Sequence, residues 1–225
     1  KKILDLDKKD NYEYTIDGLI FMPMNFSVAS NSEDNVVDNI SGTWYQNYKW
    51  KPPEENTIDF KVIYIKDKGK LAIHSYIHDN EDGSKEVRYY QKVQLVVGYD
   101  EKQDDMIDFN WSILTNQPYN KQSYECFNPP KHKKNNIHIT NIPLTNKKMK
   151  CPRDGKDIKN GSIVEMRYDG LTDNGFTWIP LRVRDDKTRP NDSHTADNVW
   201  STIRNPVTEL NITGSLDKID NVEEQ

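Results

Sequence analysis

Between Val87 and Val97 the chain alternates: Val87, Tyr89, Val93, Leu95 and Val97 share one face, and Arg88, Lys92 and Gln94 share the other. A period of two is the repeat of an extended chain, so this run predicts a half-buried strand. A strand needs neighbours to satisfy its backbone groups, and the sequence supplies them. Ile58, Phe60, Val62 and Tyr64 alternate in the same way, and Lys66-Asp67-Lys68-Gly69-Lys70 reads as a turn into Leu71 to Ile77. A second turn, Asn80 to Ser84, leads into the Val87 run, which completes a predicted β-meander. Segments 161–168 and 176–184 read as later strands. Only His194 to Arg204 has helical spacing, with Ala196, Val199, Trp200 and Ile203 on one stripe, a polar start at Asn191 to Ser193 and Pro206 as the stop. The expected class is therefore mainly β, α+β overall.

Polar stretches separate these elements. Val28 to Gly42 and Asn128 to Lys159 read as mobile loops, the second with basic clusters at Lys131 to Lys134 and Lys147 to Lys150 that serve either as a solvated face or as RNA contacts. From Gly214 the acidic tail reads as a linker or a disordered segment. There is no internal repeat.

A net charge of −5 and a pI near 5.6 argue against bulk binding along a nucleic-acid backbone, so any polyanion contact must be local. Cys126 and Cys151 lack the spacing of a zinc site and are too few for a disulfide framework; they read as reduced thiols. No apolar run approaches the ~20 residues of a membrane span, and the charged start Lys1 to Asp10 does not resemble a signal peptide. The expectation is a soluble, intracellular protein without membrane contact. Asn-x-Ser/Thr triplets such as Asn110-Trp111-Ser112 then follow from the abundance of Asn rather than from glycosylation.

Three stretches carry candidate chemistry. Ile16-Asp17-Gly18-Leu19-Ile20-Phe21 is an apolar strand broken by Asp and Gly. Glycine weakens a strand unless something approaches its backbone closely, so Asp17 either faces a metal or ligand there or makes an Asp-Gly turn. In Tyr48-Lys49-Trp50-Lys51-Pro52, Lys49 and Lys51 project together and Trp50 anchors the opposite face. Two adjacent ammonium groups suit an anion such as phosphate, or guard an edge strand. In the stretch from Trp178 to Asn191, Arg182 and Arg184 share a face opposite Leu181 and Val183. Guanidinium forks grip phosphate, and Asp186 is placed to orient a neighbouring Lys or Arg; a surface ion-pair network is the other reading.

Taken in order, these stretches resemble three ordered motifs of the covalent nucleotidyltransferases, the superfamily of mRNA capping guanylyltransferases and polynucleotide ligases. Asp17-Gly18-Leu19-Ile20-Phe21 is similar to the fourth motif, and Lys49-Trp50-Lys51-Pro52 with Thr57-Ile58-Asp59-Phe60 to the fifth. The sixth is matched by Arg182-Val183-Arg184-Asp185-Asp186-Lys187-Thr188-Arg189-Pro190-Asn191, whose Pro-Asn followed by a helix resembles the capping branch. The Lys- and Asn-rich composition is similar to capping enzymes of giant viruses, which would place the chain in the viral factory of the host cytoplasm or in the virion.

The resemblance implies the end of a nucleotidyltransferase domain (1–62), an OB-fold barrel (63–192), a closing helix (193–208) and a linker or disordered tail (209–225). It implies that Asp17 helps bind a divalent ion, Mg2+ or Mn2+, and that Lys49 and Lys51 hold the α-phosphate of GTP. Arg184, Asp186 and Lys187, with Arg182, would act on the β- and γ-phosphates as the OB domain closes. The reaction implied is attack by a lysine on the α-phosphorus, then transfer of GMP from lysyl-GMP to the 5′-diphosphate end of RNA. The first motif, Lys-x-Asp-Gly, is absent: Asp17-Gly18, Asp82-Gly83, Asp154-Gly155 and Asp169-Gly170 all lack the lysine two residues earlier. The third motif's acidic cluster is absent too. The expectation is a fragment of a longer chain, inactive alone, whose upstream segment carries the lysine and whose other partners are triphosphatase and methyltransferase domains. Two other readings remain open: an ATP-dependent ligase part, and a non-catalytic OB module that stacks RNA bases on Tyr89, Tyr90, Trp111 or Tyr119.

Overall fold

The computed structural model describes residues 18–28, 30, 44, 46–71, 73–99, 113–114, 124–129, 137–170 and 175–214. Asp17, Trp111, Tyr119, the Lys131 to Lys134 cluster and the tail beyond Gly214 lie outside the described residues. The chain divides into two units, one made of residues 1–56 and 205–225, the other of Thr57–Arg204.

In the first unit, strand β1 (Leu19–Phe21) pairs antiparallel with β2 (Tyr48–Trp50), with Leu19 opposite Trp50 and Ile20 opposite Lys49. A short 3-10 turn, Pro53–Glu55, follows. Trp50 is buried, and its indole N–H donates to the Val207 carbonyl at 2.6 Å. A two-stranded sheet buries little by itself. Ile20, Phe21, Met22 and Met24 accordingly remain exposed, Met24 by 97%.

The second unit is a barrel. Its wall strands in chain order are β3 (Thr57–Tyr64), β7 (Lys85–Gly98), β9 (Ile139–Thr145), β11 (Ile163–Tyr168) and β12 (Trp178–Val183). Antiparallel pairing links β9 to β7, β7 to β3, β3 to β11 and β11 to β12. Strand β12 then approaches β9: the Trp178 amide donates to the Thr140 hydroxyl at 3.1 Å, and the Asn141 amide to the Gly175 carbonyl at 2.9 Å. Counting wall strands from β3, the spatial order is 1-2-3-5-4 and back to 1, a partly open five-stranded Greek-key barrel, the OB fold.

Small elements decorate this wall. Strands β4 (Lys66–Asp67) and β5 (Lys70–Leu71) form a hairpin whose tip, Lys68 and Gly69, has positive φ at both residues, as a twisted two-residue hairpin requires. Strand β6 (Ile73–Asp79) pairs with the first half of β7, and β8 (Tyr124–Cys126) with its end. Strand β10 (Lys148–Met149) folds back on β9.

Inside, Ile58, Phe60 and Val62 of β3 meet Val93, Leu95 and Val97 of β7, with Val164, Met166 and Trp178 opposite. Helix α1 (Ser193–Arg204) seals one end with Ala196 and Trp200. Aromatic rings lock the seal: Phe60 meets Trp178 edge-on at 4.8 Å, and Tyr168 meets Trp200 edge-on at 4.8 Å.

The mainly β expectation, the barrel and the C-terminal helix are all present. Four details differ. The alternation in β7 holds for Val93, Leu95 and Val97, whereas Val87 and Tyr89 are 61% and 53% exposed, because the strand outruns the barrel and pairs there with β6 alone. The stretch 128–159 is not all loop: Thr140 and Ile142 of β9 fill the core, and Asn146 and Lys147, with φ of 52 and 64, turn the chain into β10. Residues Glu209–Thr213 form a short helix, α2, whose capping box joins Thr208 and Asn211. The edge drawn between residues 62 and 63 falls inside β3.

Candidate functional site

Gly18 shows why the break before β1 needs glycine. A Cβ there would lie 2.1 Å from the Trp50 carbonyl oxygen, and φ is +144. The close approach is by the chain's own β2 backbone, which places Lys49 and Lys51 beside β1. Both lysines are exposed on either side of buried Trp50. They line, with Gly18, Leu19, Ile20 and Trp50, a shallow cavity of about 180 Å³. That is smaller than the ~300 Å³ of a small-molecule pocket, and its scale suits one charged group.

The second unit builds its own polar centre on the outer face of the barrel. Asp59 follows buried Ile58 and precedes buried Phe60, so the pleat turns it outward; its register partner on β11 is Glu165. Two carboxylates directly opposite each other repel and need cations. Strand β12 provides them through a β-bulge. Glu165 pairs with Arg182 and Met166 with Pro180, which leaves Leu181 as the extra residue. Trp178 and Pro180 point inward, and without the bulge Arg182 and Arg184 would follow them into the core. With it, Val183 packs on the core and the arginines face out.

The resulting network pairs three cations with three carboxylates. Arg182 Nε donates to Glu165 Oε2 at 2.5 Å, and the Thr57 hydroxyl donates to Glu165 Oε1 at 2.9 Å. Arg184 Nη1 donates to Asp59 Oδ2 at 2.9 Å and lies 3.8 Å from Glu165 Oε2. The same guanidinium grips Asp186 in fork geometry, Nε to Oδ1 at 3.0 Å and Nη2 to Oδ2 at 2.8 Å. Lys187 Nζ also donates to Asp59 Oδ2, at 2.5 Å. The Asp59 and Arg184 side chains are 7% and 16% exposed, so this pair is largely withdrawn from water. Hydrogen bonding to Asp186 raises the Arg184 pKa against the opposing effect of burial, and the return bond lowers the Asp186 carboxyl to about 2. Burial raises the Glu165 pKa, but the bonds from Arg182 and Thr57 outweigh it and hold the carboxyl below its ordinary range.

Asn191 clamps the centre. Strands β3 and β7 diverge at Asp59 and Gly98, and Asn191 enters between them: Gly98 N–H donates to the Asn191 carbonyl at 2.8 Å, and Asn191 N–H to the Asp59 carbonyl at 2.9 Å. Its side-chain oxygen accepts the Asp59 N–H at 2.8 Å. Asp192 then caps α1 through the Thr195 amide at 2.7 Å and hydroxyl at 2.9 Å.

Arg182, Arg184, Asp186 and Lys187 therefore lie together in the second unit, whereas Lys49 and Lys51 belong to the first. Asp59, Glu165 and Asn191 were not singled out as site residues by sequence reasoning. The signal available for Asp59 was a carboxylate wedged between Ile58 and Phe60. No group of three or more His, Cys, Asp or Glu among the described residues fits a metal ion, and Asp17 is not among them. No helix among the described residues is long and apolar enough to cross a membrane.

The second unit is an OB-fold domain that carries a cluster of cations and carboxylates at its last wall strand. Residues 55–213 match the family model of the mRNA capping enzyme C-terminal domain, and the chain belongs to that family. It is 30% identical over 209 residues to the probable mRNA-capping enzyme of Acanthamoeba polyphaga mimivirus, covering 87% of this chain and 15% of that protein. It is 26% identical over 220 residues to the mRNA-capping enzyme subunit alpha of Candida glabrata, covering 93% of this chain and 42% of that protein. The chain thus spans less than half the length of either relative. The family match favours the capping branch over the ligases.

Proposed function

We propose that the chain is the C-terminal part of an mRNA guanylyltransferase, which transfers GMP from GTP through lysyl-GMP to the 5′-diphosphate end of RNA. Lys49 and Lys51 hold the α-phosphate. Arg184 and Lys187, with Arg182 beside them, hold the β- and γ-phosphates and neutralise pyrophosphate as it leaves; Asp186 orients Arg184, and Asp59 gathers both principal cations. Such catalysis is positioning and charge neutralisation. The nucleophilic lysine comes from an upstream segment with Lys-x-Asp-Gly. Its docking is supported by the exposed apolar residues Ile20, Phe21 and Met22 of the first unit. Mg2+ or Mn2+ accompanies GTP, with Asp17 as this chain's candidate ligand. Triphosphatase and methyltransferase domains are partners in the same polypeptide, working in the host cytoplasm or the virion.

The observation that carries this reading is the convergence of Arg184 and Lys187 on one carboxylate oxygen of Asp59, which gathers two cations of the kind that bind phosphate oxygens. The test is incubation of the intact polypeptide with α-labelled GTP and magnesium. Acid-labile, alkali-stable label on the protein, lost in Lys51→Ala, supports the assignment; absence of label on the wild-type polypeptide refutes it.

A further inference from the structure

The outward face of the β6–β7 ribbon carries features that GMP transfer does not use. On β7 the residues in register with core-facing Gln91 and Val93 point in, so Tyr90 and Lys92 point out, and cross-strand pairing sets His74 beside Tyr90 and Tyr76 beside Arg88. The His74 ring stacks on Tyr90 at 5.2 Å and 23°. Tyr76 lies 5.9 Å from Tyr90, and Phe176, from the segment entering β12, packs on both at 4.9 and 5.4 Å. All four rings are half-buried, so each keeps part of its surface in water. Lys92 is exposed, and so is Arg88, which is bonded to Glu86 and Asn80.

The position of this cluster gives it meaning. Counting wall strands, Tyr90 and Lys92 stand on the second, His74 and Tyr76 in the connection from first to second, and Phe176 in the connection from fourth to fifth. In OB barrels the second and third strands with these two connections form the oligonucleotide face. Aromatic rings interleaved with cations are what single strands bind, since every base offers a π-face and every linkage a charge. The alternative occupant, an apolar protein segment, would use the opposite face of the same ribbon, where Ile73, Ile77, Val87 and Tyr89 are exposed.

We propose that His74, Tyr76, Tyr90 and Phe176, with Lys92, form a stacking platform for single-stranded RNA, holding the transcript while its 5′ end is capped. The proposal rests on the guanylyltransferase reading for its biological sense, but its test does not. The intact polypeptide is titrated into a fluorescein-labelled unstructured RNA of 15 nucleotides, with anisotropy as the readout and circular dichroism as the check on folding. Tyr76→Ala is expected to weaken binding by about tenfold, in line with the cost of losing one base-stacking ring. Tyr90→Phe, which keeps the ring, binds as wild type. Lys92→Gln reduces the slope of log affinity against log salt by about 0.7, the share of one phosphate contact on a single strand. Tyr89→Ala, on the opposite face, leaves affinity unchanged. If folded Tyr76→Ala and Lys92→Gln keep wild-type affinity and salt slope, or if Tyr89→Ala weakens binding as much as Tyr76→Ala, the platform is overturned. GTP labelling of the wild-type polypeptide is run alongside, so a failure of the guanylyltransferase reading shows separately.

Discussion

Replacing Asp59 by alanine tests whether the cationic motif is held by the fifth-motif strand. The Asp59 side chain is 7% exposed and accepts from Arg184, 16% exposed, and Lys187, 34% exposed. Removing one partner of a fully buried ion pair costs about 3–5 kcal/mol. Here the cost is smaller, because Arg184 keeps its fork on Asp186 and Lys187 can turn to water; about 2 kcal/mol is the expected loss. For a unit of this size that lowers Tm by about 4–8 °C. Differential scanning calorimetry of wild type and Asp59→Ala measures the shift. A double-mutant cycle with Arg184→Met should return a coupling of at least about 0.5 kcal/mol, as contacting residues do. A drop below about 1 °C together with no coupling would refute the claim that Asp59 anchors the motif.

Other consequences are open to measurement. Gly18→Ala forces a Cβ to 2.1 Å from the Trp50 carbonyl, so the β1–β2 pairing must break; the fluorescence of Trp50 should shift towards that of exposed indole, and GTP labelling should be lost. Deleting Leu181 removes the extra residue but keeps Arg182 opposite Glu165 and on the face away from Pro180, so both arginines should still face out and the deletion variant should retain cooperative unfolding. Asp186 and Glu165 both titrate below their ordinary range, so their contribution is present above about pH 4 and lost as pH falls towards about 2, where folded Asp186 protonates. Urea midpoints measured from pH 6 down to 2.5 should decline below about pH 4, less steeply in Glu165→Gln.

The barrel was legible where a period of two coincides with one buried face, as at Ile58, Phe60 and Val62 and again at Val93, Leu95 and Val97. The same period continues through Tyr89 and Val87, but alternation reports which residues share a face and not how far the core extends along it. Strand β9 escaped notice because only Thr140 and Ile142 of its first four residues point inward, and its setting is rich in Asn and Lys. The three motifs were legible as residue types in order. Their wiring was not: Asp59 meets Arg184 across 125 residues, and the outward turn of Arg184 depends on a one-residue bulge that leaves no mark in the pattern of apolar positions.

That wiring bears on how the motif would receive an anion. If Arg184 and Lys187 had to leave Asp59 to bind phosphate, a buried carboxylate would be stranded, a costly exchange. The donor count shows that they need not leave. A guanidinium has five N–H groups, and Arg184 directs three to Asp59 and Asp186; an ammonium has three, and Lys187 directs one to Asp59. Two donors remain on each, enough for phosphate oxygens to join the network while Asp59 stays paired. An anion that adds to the folded network without breaking it stabilises the fold. Inorganic pyrophosphate at about 100 times its Kd should therefore raise stability by about 2.7 kcal/mol in wild type, with most of the gain lost in Lys187→Met. An unchanged or lowered Tm in wild type would show that the cations are committed to their carboxylates and serve the fold alone.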